Sequence, residues 1–137
     1  FLTSFAAKQP QPGLLLSNTA RAGLLGFAKT MANEVAAEGV TVNTVLPGHF
    51  DTARAVALAS QRAAREGVAV EELLQRRSAH VPMGRVGSGD DITGVAIFLA
   101  SDDSQYTTGS VVGADGGQAV GYFLSVPGRR FSGGRID

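Results

Sequence analysis

The sequence predicts an α/β protein built on parallel strands. Short β-branched runs alternate with longer stretches whose apolar residues recur at helical spacing. The best strand candidate is apolar on both faces, which suits a central strand covered on both sides. The order is strand end, helix, strand, helices, helix, strand, and this implies parallel strands joined by right-handed crossovers.

Phe1 to Ser4 reads as the tail of a buried strand, so the chain reads as the beginning of a fragment. Lys8-Gln-Pro-Gln-Pro-Gly13 then breaks regular structure. A helix is expected from Ser17-Asn18, both good N-caps, to about Ala37, with Gly39 as its stop. Leu24, Leu25, Phe27, Ala28, Met31 and Val35 form its apolar stripe, and Gly23 and Gly26 read as close-packing positions. Val40 to Leu46 is the central strand, ended by Pro47-Gly48. Residues 53–66 and 69–79 read as two amphipathic helices separated by Gly67. Asp90 to Ala100 is a further helix with Asp90 or Asp91 as cap. Ser110 to Ala114 is a short strand stopped by Asp115-Gly-Gly117, and 119–137 reads as a glycine-rich tail. Two or three strands cannot bury a sheet on both faces. A missing half or a partner is therefore expected.

Composition narrows the function classes. The 137 residues suffice for one domain with a real core but not for two. Apolar residues make up 44% and charged residues 18%, as in a soluble globular protein. Twelve basic and twelve acidic residues give no positive excess for nucleic acid. No apolar run suggests a membrane span, and no export segment is seen. Without cysteine there is neither a disulfide framework nor a thiolate metal site, and His49 and His80 lack acidic partners at zinc-site spacing. A cytoplasmic location is the expectation.

Several segments then match one family in order. Ser17-Asn-Thr-Ala-Arg21, Ala22-Gly-Leu-Leu-Gly-Phe-Ala-Lys29 and Met31-Ala-Asn-Glu34 resemble the helix that follows the active-site tyrosine in short-chain dehydrogenases/reductases. Gly39-Val-Thr-Val-Asn-Thr-Val-Leu-Pro-Gly48 resembles their next strand, and His49-Phe-Asp-Thr52 their nicotinamide loop. Met83-Gly-Arg-Val-Gly87 with Asp90-Asp91-Ile92, then Phe98-Leu-Ala-Ser-Asp102, Thr108-Gly109 and Asp115-Gly-Gly117, resemble the closing pattern. The resemblance covers residues 1–118. It implies the C-terminal part of a Rossmann-like, doubly wound, three-layer α/β/α sheet, with the N-terminal nucleotide-binding half absent. Residues 53–79 would be the variable substrate lid. Gly84-Arg-Val-Gly-Ser-Gly89 spells a glycine-rich turn but follows no strand, so it is not read as a diphosphate cradle.

The resemblance also implies chemistry. The family's catalytic serine precedes its tyrosine by thirteen positions, and a lysine follows four later. Here Ser4 is retained, Ser17 stands at the tyrosine position and Arg21 at the lysine position. These three are the candidate catalytic residues. A phenol ionises near ~10, within reach of a neighbouring cation, whereas an aliphatic hydroxyl is a far weaker acid. Arg21 can still hold ribose hydroxyls but cannot relay a proton as lysine can. Ser17 and Asn18 also read simply as caps, Arg21 as a solvated helix residue and Ser4 as a strand-end hydroxyl. Cofactor contacts are expected from Arg21, Pro47, Gly48, the backbone near Phe50 and the Thr52 hydroxyl, although a plain strand-to-helix turn would look the same. His49, in that loop, is a candidate replacement acid because imidazole titrates near neutrality.

The resemblance thus implies an oxidoreductase using NAD or NADP on a carbonyl or alcohol, with 3-oxoacyl reductases as the general type and an apolar or acyl substrate. The alternative is an inactive or weak relative that binds a nucleotide or ligand, or supports an oligomer. The family also implies a homo-oligomer, a dimer or tetramer, paired through the Ser17–Ala37 helix and the last helix and strand.

Overall fold

In a computed structural model of the chain, residues 1–119 are described. Its elements run α1 (Leu15–Val35), β1 (Thr44–Pro47), α2 (Ala53–Glu66), α3 (Val70–Ala79), α4 (Gly89–Ala100) and β2 (Val111–Ala114), with 3₁₀ turns at Phe5–Ala7, Ala36–Glu38 and Asp102–Ser104. The expected tail, apart from residue 119, lies outside the described residues.

β1 and β2 are parallel, with Thr44 opposite Val111 and Pro47 opposite Ala114. The N-terminal segment adds to the other side of β1: Leu2 bridges Val45 in parallel, Val45 N–H donates to the Phe1 carbonyl and Thr3 N–H to the Val45 carbonyl. β1 is therefore central, as expected, and Thr44, Val45 and Leu46 are all buried. The ladder starts later than the β-branched run suggests. Val40 to Asn43 is held instead by bonds to the loop before β2. Val42 N–H donates to Thr108 Oγ1 at 3.0 Å, and Asn43 Nδ2 donates to the Thr107 carbonyl at 2.7 Å. Side chains there take the bonds a ladder would use.

The start of α1 corrects one expectation. The helix begins at Leu15, its N-cap Leu14 makes no side-chain bond, and Ser17 and Asn18 lie inside its first turns. Asn18 instead fastens the preceding loop: its Oδ1 accepts from Gln11 N–H at 3.2 Å and its Nδ2 donates to the Gln11 carbonyl at 2.8 Å. A two-pronged hold on a proline-flanked loop fixes where the helix enters. The end is as expected, with Gly39 in the left-handed region at φ 75°.

The stripe on α1 is narrower than its apolar pattern. Ala28 and Ala32 pack on Val42 with Val35, while Phe27 is 57% exposed and Met31 36%. Gly23 and Gly26 face open space, so they are not packing positions within the described residues. α4 likewise buries none of its residues. Its cap is Ser88 rather than an aspartate; Asp91 accepts from the Ser88 N–H at 2.7 Å. Asp91 also pairs with Arg85, and that guanidinium holds its carboxyl well below the usual carboxylate range.

α2 and α3 form a helical hairpin with a small core of Ala59, Ala63 and Leu73. Thr52 caps α2, accepting from Ala55 N–H at 3.2 Å, and Gly67 ends it at φ 67°. This is the segment expected to be the lid. Among the described residues, no helix is long and apolar enough to cross a membrane, and no cluster of His, Cys, Asp or Glu could hold a metal.

Candidate active site at the carboxyl edge of the sheet

Parallel strands end together, so Ser4, Pro47-Gly48 and Asp115 emerge along one edge. Open α/β sheets bind ligands beyond that edge. Ser4 is half-buried, and its Oγ accepts from Ala6 N–H at 3.2 Å, capping the first 3₁₀ turn. The hydroxyl proton stays available for donation.

Ser17 and Arg21 are one helical turn apart on α1 and meet: Arg21 Nε donates to Ser17 Oγ at 2.9 Å. Arg21 Nη1 donates to the Thr3 carbonyl at 3.0 Å. Thr3 immediately precedes Ser4, so the guanidinium ties the helix pair to the strand end that carries Ser4. Arg21 is thus not a freely solvated residue, and Ser17 is not a cap.

The loop after β1 lies on the other side of Ser4. Phe5 is buried and meets the His49 ring edge-on, with centroids 5.7 Å apart. Gly48 is required by close approach, because a Cβ there would stand 2.7 Å from the Asp115 Cα. Phe50 bridges Gly87: Asp51 N–H donates to the Gly87 carbonyl and Gly87 N–H to the His49 carbonyl. Those bonds occupy the neighbours of Phe50 and leave its own N–H and C=O without a partner among the described residues.

His49 has company that local sequence did not announce. Gln118 Oε1 accepts from the His49 N–H at 2.9 Å, which fixes the amide's orientation. Its Nε2 then lies 3.1 Å from both ring nitrogens, over the ring rather than along either lone pair. Burial lowers the His49 pKa, the Arg77 charge adds to this, and His80 contributes further; the Arg77 carbonyl opposes them. His49 and His80, far apart in sequence, come close in space. Gln118 stands 69 positions from His49, so only the folded chain reveals the pair.

A family model described as enoyl-(acyl carrier protein) reductase matches residues 1–119. A short chain dehydrogenase family protein from Francisella tularensis superposes with a TM-score of 0.83 at 27% identity, over 86% of this chain and 49% of that one. The chain belongs to the short-chain dehydrogenase/reductase family. Among curated members, acetoacetyl-CoA reductase of Shinella zoogloeoides is 38% identical over 85% of this chain and 44% of its own length. The 3-oxoacyl-(acyl-carrier-protein) reductase FabG of Escherichia coli is 41% identical over 72% of this chain and 36% of its own. The L-sorbose reductase of Gluconobacter frateurii, solved with NADPH and L-sorbose, superposes with a TM-score of 0.81 at 30% identity, over 85% of this chain and 45% of that one. The chain spans less than half the length of the curated relatives it matches. The α/β fold with a parallel sheet is that of the family, as its sequence implied.

Proposed function

We propose that the protein is an oxidoreductase of the short-chain dehydrogenase/reductase type, moving hydride between NAD(P)(H) and a carbonyl or alcohol. The observation that supports this reading is the Arg21 bridge from Ser17 to the Thr3 carbonyl, which ties the helix pair to the strand end that carries Ser4. Reductases acting on acetoacetyl-CoA and 3-oxoacyl carriers among the relatives support an acyl substrate. A homo-oligomeric, cytoplasmic protein is part of the same proposal.

The nucleotide fits the groups present. The unpartnered peptide of Phe50 can meet a carboxamide, the Thr52 hydroxyl keeps a proton for a phosphate, and Gly48 lets the backbone turn tightly beneath them. The remaining N–H groups of Arg21 suit ribose hydroxyls. When bound, the nucleotide supplies or accepts the hydride. This chain's own residues must handle the charge that develops on the substrate oxygen. Ser4 and Ser17 both accept a bond at Oγ and both keep an O–H to donate. Arg21, fixed by Thr3, places its charge next to Ser17. The proton itself would come through Ser4, Ser17, water or a substrate group. His49, kept neutral by its lowered pKa, is a poor acid at pH 7.

A second reading rests on Ser17. With a weakly acidic hydroxyl in place of a phenol, the protein would bind nucleotide and ligand without useful turnover. Fluorescence titration with NADH and NADPH, followed by a carbonyl screen, separates the two: binding with turnover supports the enzyme, and binding without turnover supports the second reading. Restoring the pair by Ser17→Tyr with Arg21→Lys should raise carbonyl reduction by at least about tenfold, in line with the usual worth of a placed general acid. No gain, with folding and nucleotide binding intact, would count against Ser17 as the acid position.

A further inference from the structure

A cavity of about 510 Å³ lies between the lid hairpin and the loop after β1, and its polar lining is entirely basic: His49, Arg62, Arg76, Arg77 and His80. The charges in it are not equivalent. Arg62 pairs with Glu66, and Arg76 pairs with Glu72 and approaches Glu66. Arg77 is half-buried and enters no ion pair among the described residues. Asp115, which sits near Gln118, spends its carboxylate on the N–H groups of Gly117 and Ala119. Arg77 therefore lines the cavity as its one arginine without an ion pair among the described residues. Leu58, Ala59 and Leu73 supply the apolar part of the lining, and an arginine offers an anion charge-assisted hydrogen bonds.

We propose that this cavity is a subsite for an anionic group on the substrate, a carboxylate or a phosphate monoester, with Arg77 as its ligand. The proposal deepens the reductase reading and rests on it for the word substrate. Its position supports that reading. His49 forms one wall and its ring meets Phe5, the residue after Ser4, so the cavity adjoins the candidate site. The fork of Arg77 matches the two oxygens of either anion. The cations that depress the His49 pKa would be offset by such a group, so filling the site should raise it.

Two measurements decide the matter, and the first needs no turnover. The purified protein is titrated with inorganic phosphate and separately with glutarate, following the His49 and His80 imidazole signals by NMR. A saturable response to one anion, with the His49 pKa moved upward, is expected. It should weaken at least about tenfold in Arg77→Gln and partly return in Arg77→Lys, as for loss of a charged hydrogen bond. No saturable response to either anion, or an equal response in Arg77→Gln, overturns the subsite. The second measurement compares reduction of dihydroxyacetone phosphate with dihydroxyacetone, and of acetoacetate with ethyl acetoacetate. A preference of about tenfold or more for one charged member, collapsing towards unity in Arg77→Gln through KM, names the group as phosphate or carboxylate. Turnover of the neutral members without any charge preference overturns it. If no carbonyl is reduced, the reductase reading falls while the anion titration still decides the site.

Discussion

A methyl group at position 48 would meet the Asp115 backbone, which cannot swing aside, as well as the Gln118 side chain. The Cβ would stand 2.7 Å from the Asp115 Cα and 2.9 Å from Gln118 Oε1, so either the β1 or the β2 end must move. Gly48→Ala should therefore cost about 1–3 kcal/mol, the usual range for forced overpacking, and weaken NADPH binding as well. Thermal unfolding and fluorescence titration read the two effects; an unchanged protein would mean that the strand ends are not held this closely. His49 adds a pH effect. Its folded pKa lies below the ordinary 6.5, so the unfolded chain binds the proton more readily. The stability it contributes is present above about pH 6.5 and is lost as pH falls through the lower folded pKa. Unfolding temperature measured from pH 8 to pH 5 should decline less steeply in His49→Gln than in the parent protein. The residue types Ser4, Ser17 and Arg21 were legible as a spaced set, and their proximity is what the fold adds. Gln118 and Arg77 were not legible, because nothing local marks a side chain whose partner is tens of positions away.

At the scale of the elements, periodicity and turn chemistry located the four α-helices of the described residues but not the 3₁₀ turns at Phe5–Ala7 and Asp102–Ser104. Gly39 and Gly67 stopped α1 (through its 3₁₀ extension) and α2 where a left-handed residue was needed. Helix starts were harder, since Ser, Thr, Asp and Asn cap only when the chain enters at the right angle. Thr52 caps, while Ser17 and Asn18 serve other ends. The difference is testable. Asn18→Ala removes two bonds to the Gln11 backbone and leaves a carbonyl and an N–H to find water, so about 1–2 kcal/mol of stability should go. Ser17→Ala gives up one bond to an arginine that keeps its hold on Thr3, and should cost less than half as much. Chemical denaturation of the two variants compares them directly. Equal losses would restore Ser17 to the capping role that its residue type suggests.

For the whole molecule, the apolar residues left in water are the main quantity that the sequence pattern could not place. The helical stripe on α1 predicted a buried face, yet its Phe27 and Met31 are 57% and 36% exposed, and Leu15 and Leu16, which lie before the expected helix start, are 79% and 85% exposed. α4 exposes Ile97 and Phe98 at 63% and 45%. Periodicity tells which residues share a face but not what that face meets. Covering what remains exposed of these four side chains on α1 is worth roughly 4–8 kcal/mol per copy before the costs of association, which favours pairing of such faces. With Gly23 and Gly26 open on α1, another helix could approach closely. Sedimentation equilibrium of the purified protein should therefore give a dimer or tetramer. Leu16→Asp on α1 and Phe98→Asp on α4 should each lower the mass if both faces are buried between copies, because either change would place an unpaired carboxylate in an apolar contact. A monomer at micromolar concentration would show that these faces are covered within one polypeptide or stay wet. A mass lowered by only one of the two substitutions would name the face that pairs.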